Sequence, residues 1–197
     1  MNDGILLLYL LNFAFVALLP RLFFRQGSLN LRWFLTGAPY LLSPAALVAA
    51  RQGLLASWVP PDSRLQAVLE LASVPLGALS IALIALTIGT HKIPIALWHQ
   101  QDDAPHSIVT WGPYARLRHP FYASFLTALL GALLFSVNAG TLLAFFYALI
   151  VLELTARREE RRLCASEFGA EYAAYMQRTG RFLPRLAARS AELGGVR

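Results

Sequence analysis

The chain carries little charge and lacks the short motifs of soluble nucleotide-binding enzymes. Only 14% of its 197 residues are charged and 57% are hydrophobic, whereas a soluble domain of this length carries roughly a quarter charged residues. None of the patterns G-x-G-x-x-G, G-K-[ST], H-E-x-x-H or G-x-S-x-G occurs, so soluble nucleotide-binding folds are unsupported. Cys164 is the only cysteine, which excludes an intramolecular disulfide. The composition therefore indicates a chain solvated largely by lipid.

Lysine is also nearly absent, because Lys92 is the only one and the net charge of +6 comes from arginine. This bias is typical of a GC-rich, bacterial genome. Nine of the 17 basic residues follow Leu154, which indicates an anionic lipid surface or anionic ligand beside the C-terminal segment, not nucleic acid. The first apolar run has neither a basic n-region nor a small-residue cleavage pattern, so we expect a membrane span there and not a signal peptide.

Four runs without charged residues are at or near the length that crosses a bilayer as a helix. They are residues 4–20, 33–50, 71–90 and 121–152. As one helix the last run would be about 48 Å long, against a hydrocarbon core of about 30 Å. We therefore expect two spans in that run, separated by the Ser-Val-Asn-Ala-Gly turn at 136–140.

With five spans, 15 basic residues lie on one side of the membrane and two on the other. The basic side is expected to be cytoplasmic, with the N-terminus outside, in a bacterial inner membrane. The predicted fold is an all-α polytopic membrane protein of five transmembrane helices, with a helical hairpin (spans 4 and 5) and a C-terminal cytoplasmic amphipathic helix. It is one folded unit with three segments: spans 1 to 3 and a loop (1–107), a core (108–184) and a tail (185–197). Pro39 and Pro44 leave open a kinked or partly re-entrant second span.

Two polar segments reach the cytoplasmic face if the hairpin forms. The first is residues 110–122, in which a Gly-Pro turn precedes Arg118-His119-Pro120 at the start of the fourth span. A cation and an imidazole at a helix entrance can hold an anionic group. The alternative is an interfacial Arg118 that reaches lipid head groups, with His119 as a hydrogen bonder at the helix start.

The second polar segment, residues 153–184, is predicted to continue the fifth span into an amphipathic helix. Spacings of three and four place five residues on one face, and Glu159 is expected to point elsewhere. The five residues are Glu153, Arg157, Glu160, Cys164 and Phe168. Ionisable groups at the membrane edge indicate a functional site. The alternative is a charged helix on the head groups, where each Arg–Glu pair contributes roughly 0.2–0.5 kcal/mol.

Two His and two Asp between His99 and His106 raise the question of a metal centre. Their spacing matches no recognised metal-binding pattern, and Pro105 indicates an ordinary polar turn. We therefore predict no metal site there.

Several motifs between residues 108 and 184 follow one another at specific intervals. They are Gly112-Pro-Tyr114, Arg118-His-Pro-x-Tyr122, an Arg/Glu-rich segment, Phe168-Gly-x-Glu-Tyr172-x-x-Tyr175 and Arg181-Phe-Leu-Pro184. Each motif is weak alone, but their order and spacing together resemble the isoprenylcysteine carboxyl methyltransferase family of membrane enzymes, which is related to phospholipid N-methyltransferases.

The resemblance implies S-adenosylmethionine as methyl donor, bound between the last spans and the C-terminal helix, and a lipophilic or lipidated acceptor that enters from the membrane. It assigns the cofactor pocket to Gly112, Tyr114, Arg118, His119, Pro120, Tyr122 and Glu160. Arg157, Glu160 and Arg118 are the predicted catalytic residues, with Arg157 as first choice for contact with the acceptor. In the family two adjacent acidic residues stand eight and seven positions before the Phe-Gly pair. In this chain those positions are Glu160 and Arg161, so an arginine stands where the family has its second acidic residue.

The predicted function is methyl transfer from S-adenosylmethionine to a lipophilic acceptor, an isoprenylcysteine-type carboxylate or similar. Three alternatives stay open: a phospholipid N-methyltransferase or small-thiol S-methyltransferase of the same fold, a membrane sterol reductase that uses a nicotinamide dinucleotide, and a non-catalytic membrane accessory protein. A dinucleotide site would need more polar and basic surface than this short chain offers. The sequence identifies neither the acceptor nor the oligomeric state.

Overall fold

The computed structural model describes residues 2–17, 24–25, 28–29, 31–90 and 108–185. Its helices are α1 (Asp3–Ala17), α2 (Leu31–Arg51), α3 (Arg64–Thr90), α4 (Pro120–Phe135), α5 (Ala139–Cys164) and α6 (Gly169–Arg178), with a 3₁₀ helix at Gly112–Ala115. The segment from His99 to His106 and the tail from residue 186 lie outside the described residues.

The predicted all-α architecture is confirmed for the described residues, apart from one small β-element. Strands β1 (Phe24–Arg25) and β2 (Ser28–Leu29) pair antiparallel, with Phe24 opposite Leu29. Pro39 and Pro44 lie inside α2, which is one helix. Among the described helices, α3 and α5 are long and apolar enough to cross a membrane, while the five-span count stays a prediction.

The predicted break in the longest apolar run is confirmed, because α4 ends at Phe135 and α5 begins at Ala139. Asn138 caps α5: its side-chain oxygen accepts from the Thr141 amide at 3.0 Å, and its own amide donates to the Thr141 hydroxyl at 3.3 Å. This reciprocal capping satisfies amide groups that a helix start leaves unpaired. A sharp helical hairpin can therefore form within an apolar sequence.

α4 lies at the centre of the bundle and packs mainly against α3, with further contacts to α1, α2 and α5. Gly131 is required by this packing, because a Cβ there would lie 1.9 Å from the Tyr9 hydroxyl of α1. That hydroxyl donates to the Ser73 carbonyl of α3 at 2.6 Å, so three helices meet at this point. Since α4 begins where α5 ends, the two polar segments come together at one end of the bundle.

The charge-free part of α5 ends at Leu152, and residues 153–164 extend beyond it with seven charged side chains. The C-terminal helix is not a continuation of α5 as predicted, because a turn at residues 165–168 separates α5 from α6. Gly169 permits this turn: a Cβ there would lie 2.3 Å from the Cys164 carbonyl oxygen. Helical spacing therefore does not carry through from α5 to α6.

Candidate functional site

Backbone hydrogen bonds join the loop before α4 to the C-terminal strap, residues 179–185. The Arg118 amide donates to the Gly180 carbonyl at 2.8 Å, and the His119 amide donates to the Arg181 carbonyl at 3.1 Å. The Gly180 amide donates in return to the carbonyl of Arg116 at 3.1 Å. This pairing places Arg118, His119 and Arg181 next to one another.

Glu160, on α5, binds all three of these side chains and is only 3% exposed. Its Oε1 accepts from Arg118 Nε at 2.7 Å and from Arg181 Nε at 3.0 Å, and lies 3.3 Å from His119 Nε2. Burial would raise the pKa of Glu160, but hydrogen bonds from His119, Arg181 and Arg118 outweigh burial and hold its pKa well below the usual value. Glu160 is therefore an ionised carboxylate fixed between two guanidinium groups.

Arg118 forms hydrogen bonds to the backbone at the C-terminal end of the chain as well as an ion pair with Glu160. Its Nη1 donates to the carbonyls of Met176, at 3.2 Å, and of Thr179, and its side chain is 8% exposed. Tyr175 connects α6 to the loop before α4 in the same way, because its hydroxyl donates to the Tyr114 carbonyl at 2.6 Å. Arg118 thus joins α5, the loop before α4 and the strap, and a catalytic role for it stays a prediction.

Glu159 also faces the site, which corrects the expectation that it points elsewhere. Its Oε1 accepts from the Tyr122 hydroxyl at 2.8 Å, and its Oε2 lies 3.5 Å from His119 Nδ1. Consecutive helix positions are about 100° apart, and His119 lies between the two carboxyl groups and faces one with each ring nitrogen. Burial raises the pKa of Glu159 to about 8. In the described part of the chain, no Arg or Lys forms an ion pair with it.

His119 is buried and stacks on the Tyr122 ring, with 5.3 Å between centroids and 4° between planes. Phe182 of the strap meets both rings edge-on, at 6.2 and 6.4 Å. Burial lowers the pKa of His119, although its hydrogen bond to Glu160 opposes the shift. A neutral imidazole can donate from Nε2 to Glu160 and present Nδ1 to Glu159.

The other predicted cofactor residues shape the loop before α4. Gly112 has a φ of 61°, and a Cβ there would lie 2.4 Å from the Thr90 hydroxyl of α3, so only glycine fits. Tyr114 is buried in the 3₁₀ helix, and Pro120 is the first residue of α4, as the sequence predicts. Binding of a cofactor by these residues stays a prediction.

Arg157 lies outside the buried network. Its side chain is 60% exposed, and its Nε donates to Glu153 Oε1 at 2.8 Å. Arg161 and Cys164 are exposed too. The predicted common face is therefore divided, with Glu160 buried and Arg157 on the outside. A role for Arg157 toward an acceptor stays a prediction.

Arg181 is the site residue that the sequence prediction omitted. Besides Glu160, its guanidinium donates to Glu153 Oε1, so it bridges two carboxylates that lie seven residues, about two helical turns, apart along α5. The signal was present in the motif Arg181-Phe-Leu-Pro184, since an arginine in the closing motif is a natural partner for an isolated buried carboxylate. Glu159 was missed because spacings of three and four were taken to place Glu160 and not Glu159 on the site face, whereas His119 lies within 3.5 Å of the carboxyl groups of both.

Comparison with known proteins confirms the family resemblance over part of the chain. Residues 87–165 match the model of the Isoprenylcysteine carboxyl methyltransferase (ICMT) family. The cobalt-zinc-cadmium resistance protein CzcN of Cupriavidus metallidurans is 34% identical over 113 residues, 53% of this chain and 51% of that protein. The chain thus matches about half the length of this curated relative. No solved structure matches the chain.

Proposed function

We propose, from the ICMT family match of residues 87–165, that the chain is an S-adenosylmethionine-dependent methyltransferase acting on a lipophilic acceptor. The observation that carries the proposal is the network around Glu160. It gathers one end of α4, one end of α5 and the C-terminal strap at a single point. Methyl transfer from a sulfonium depends chiefly on positioning the donor in line with the nucleophile, and a fixed network supplies a rigid frame for that purpose.

The side chains beside the network suit a cationic cofactor. No Arg or Lys of the described residues forms an ion pair with Glu159, which accepts from the Tyr122 hydroxyl. An ionised carboxylate attracts an ammonium, and the approach of such a cation would favour ionisation of Glu159. An aromatic ring face attracts a sulfonium or ammonium by cation–π interaction. S-adenosylmethionine carries both cations and would supply the methyl group. We infer that Glu159 and Tyr122 hold its charged end, while Glu160 keeps the surrounding arginines in place.

For the acceptor we infer entry from the membrane and contact with Arg157. A carboxylate acceptor needs orientation by a cation and no general base, and Arg157 is an exposed arginine that lies one helical turn before Glu160 on α5. Arg118 is a weaker candidate, because its donors already serve Glu160, one carbonyl of α6 and one carbonyl of the strap.

A second acceptor class is favoured by Glu159. A thiol must lose its proton before it attacks, and an amine must lose one during methylation. Glu159 forms no ion pair with an arginine of the described residues, and in its ionised form it could take up that proton. A phospholipid amine or a small thiol is therefore the alternative acceptor to a carboxylate.

The proposed topology has five spans in a bacterial inner membrane, with the site at the cytoplasmic face. Cys164 offers a native probe, because it is the only cysteine of the chain and it is exposed at the end of α5. A membrane-impermeant maleimide should label it in inverted vesicles and not in right-side-out vesicles. A Cys164→Ala, Trp58→Cys variant, with its exposed probe in the loop between α2 and α3, should show the opposite pattern. Labelling of both positions from the same side would contradict the topology.

Methyl transfer is tested with membranes that contain the chain and S-adenosylmethionine labelled in its methyl group. We expect label in an organic-extractable product, loss of that product in Glu160→Gln, and no loss in Glu171→Gln. Glu171 is exposed on α6 and serves as the matched control. Equal labelling in membranes with and without the chain would overturn the proposal. Treatment of the product with mild base separates a methyl ester, which is cleaved, from methylated amines and thiols, which are not.

A further inference from the structure

The exposed side of α5 changes from apolar to basic near the end of the proposed span. A row of residues spaced four apart is exposed along the helix and consists of Phe146, Ile150, Leu154, Arg158 and Arg162. A second row of the same spacing lies two positions earlier, is buried throughout, and ends at Glu160. Two positions on a helix differ by about 200°, so the rows lie on opposite sides of α5. The two arginines therefore continue the apolar row and face away from Glu160.

The apolar part of the exposed row suits contact with lipid. α5 is long and apolar enough to cross a membrane, and only 28% of its most apolar stretch is buried by the rest of the chain. From Leu154 to Arg158 the helix rises about 6 Å, so the basic part begins directly after the last apolar side chain. Trp111, in the loop before α4 at the same end of the bundle, is exposed, and tryptophan is enriched at membrane–water interfaces. The arginines are therefore expected at the level of the lipid head groups.

Three arginines beyond this boundary lack a carboxylate partner in the described part of the chain. Arg158, Arg161 and Arg162 are exposed, and none of them forms an ion pair there. The charge of Arg162 acts on the Glu159 carboxyl group, but from beyond the distance of an ion pair. Residues three and four apart are neighbours on a helix surface, where like charges destabilise the helix. An anionic partner outside the chain would remove this repulsion.

We propose that Arg158, Arg161 and Arg162 form a docking surface for the head group of an anionic phospholipid. A guanidinium can donate two parallel hydrogen bonds to one phosphate group. Helical side chains lean toward the N-terminal end of their helix, which in α5 is the direction of the apolar row. Arg161 shows this orientation, because its Nε donates to the Arg157 carbonyl one turn back at 3.3 Å. The side chain of Arg157 is not part of the surface, because it pairs with Glu153.

A phospholipid matches this surface better than a soluble anion does. The exposed row is continuous, so one lipid can place its acyl chains against Ile150 and Leu154 and its phosphate against Arg158, whereas a soluble anion would use only the basic part. Clusters of arginine just beyond a membrane span attract anionic lipids. The inference rests on the proposed membrane topology and is independent of methyl transfer. Maleimide labelling of Cys164 tests the topology, and lipid retention tests the docking surface separately.

The test measures which lipid the purified full chain retains. The chain is equilibrated in detergent micelles that contain equal amounts of dioleoyl phosphatidylglycerol and dioleoyl phosphatidylcholine, which differ only in the head group. After gel filtration, the retained lipids are extracted and counted by mass spectrometry. One arginine near an anionic surface corresponds to a gain of about fivefold, so we expect phosphatidylglycerol to be preferred by at least about tenfold at low salt. The preference should fall at high salt, because the three charges are exposed.

Two triple variants show whether the charge of the docking surface causes the preference. Arg158→Gln, Arg161→Gln and Arg162→Gln combined should reduce the preference for phosphatidylglycerol to within about twofold. Arg158→Lys, Arg161→Lys and Arg162→Lys combined should keep most of it, because lysine retains a positive charge that attracts phosphate. A preference that survives in the glutamine variant would place the lipid elsewhere and overturn the proposal.

The matched control is Arg116→Gln, Arg178→Gln and Arg185→Gln combined. It removes the same charge from exposed positions in the loop before α4, in α6 and in the strap, and it should keep most of the preference. An equal loss in the control would show that the preference follows net charge and would overturn the proposal, as would displacement of the lipid by soluble glycerol phosphate at constant ionic strength. Equal retention of both lipids by the wild type, or a preference that salt does not change, would overturn it even if the variants failed to fold.

Discussion

The carboxy-terminal region, residues 108–185, and the amino-terminal pair of α1 and α2 bury polar side chains in different ways. In the first region, buried Glu160 accepts hydrogen bonds from two arginines, and buried Asn138 caps α5. In the second, Asn12, Tyr40 and Ser43 are each less than 5% exposed. Their side-chain nitrogen and oxygen atoms have no hydrogen-bond partner within the described residues.

The difference shows which region is built around a fixed geometry. A buried polar group with all its partners stabilises one arrangement of the chain, whereas an unpaired one only costs free energy. The ICMT family match, residues 87–165, ends within the first region and omits α1 and α2 entirely. We infer that the carboxy-terminal region fixes the geometry of the candidate site and that the amino-terminal pair mainly completes the bundle.

The largest expected effect comes from Glu160→Leu. Removal of this carboxylate leaves the buried Arg118 guanidinium without its counter-charge, and breaking a buried ion pair on one side costs about 3–5 kcal/mol. We expect a loss of this size in the free energy of unfolding, measured by denaturant titration in mild detergent. A loss below about 1 kcal/mol would mean that the network is not the organising element of this region.

Two buried asparagines give a direct comparison of the regions. Asn138→Ala should cost about 1–2 kcal/mol, because it removes the cap of α5. Asn12→Leu should be neutral or raise the free energy of unfolding by up to about 1 kcal/mol, since it replaces an unpaired amide by an apolar group. The same unfolding assay measures both. Equal destabilisation by the two substitutions would show that Asn12 has a partner in the membrane. The two regions would then not differ in how they bury polar side chains.

Glu159→Gln should change the pH dependence of stability. The pKa of Glu159 is raised from 4.5 to about 8, so its contribution to stability is full below about pH 4.5 and is lost as the pH rises through 8. Wild-type chain should therefore lose stability between about pH 4.5 and 8 through this group, and the variant should lose less, as measured by thermal unfolding across that interval. Parallel pH profiles for the two proteins would contradict the raised pKa.

Arg157→Ala should have the smallest effect on stability. Its exposed ion pair with Glu153 spans one helical turn and contributes about 0.5 kcal/mol or less. If Arg157 contacts the acceptor, the variant should raise the acceptor KM while stability and affinity for S-adenosylmethionine stay unchanged. Unchanged turnover and unchanged acceptor affinity would remove that role.

Much of the helical arrangement could be predicted from the sequence, because apolar runs and turn residues are local signals. The break at residues 136–140 and the proline at the start of α4 are examples. The turn at residues 165–168 was not predicted, since it depends on the close approach of Gly169 to the Cys164 carbonyl. Glu159 was excluded by the helical spacing within α5, which gave no sign that the side chains of His119 and Tyr122 reach it.

The ion pairs of the candidate site could not be predicted, because they join residues that are far apart in the sequence. Glu160 could be chosen from its helical face and from the family resemblance. Its partner Arg181 is 21 residues away, and it reaches Glu160 because the strap pairs with the loop before α4. No local pattern reports such a backbone pairing, so the motif containing Arg181 was recognised without its role.

The most direct test is calorimetric titration of S-adenosylmethionine into the purified chain in nanodiscs, with wild type, Glu160→Gln and Glu171→Gln compared. We predict that the wild type and Glu171→Gln bind one equivalent with the same affinity, and that Glu160→Gln binds at least about tenfold more weakly, a loss of about 1.4 kcal/mol. Absence of binding to the wild type, in nanodiscs and in detergent alike, would contradict the methyltransferase assignment. Undiminished binding to Glu160→Gln would contradict the placement of the cofactor at this network.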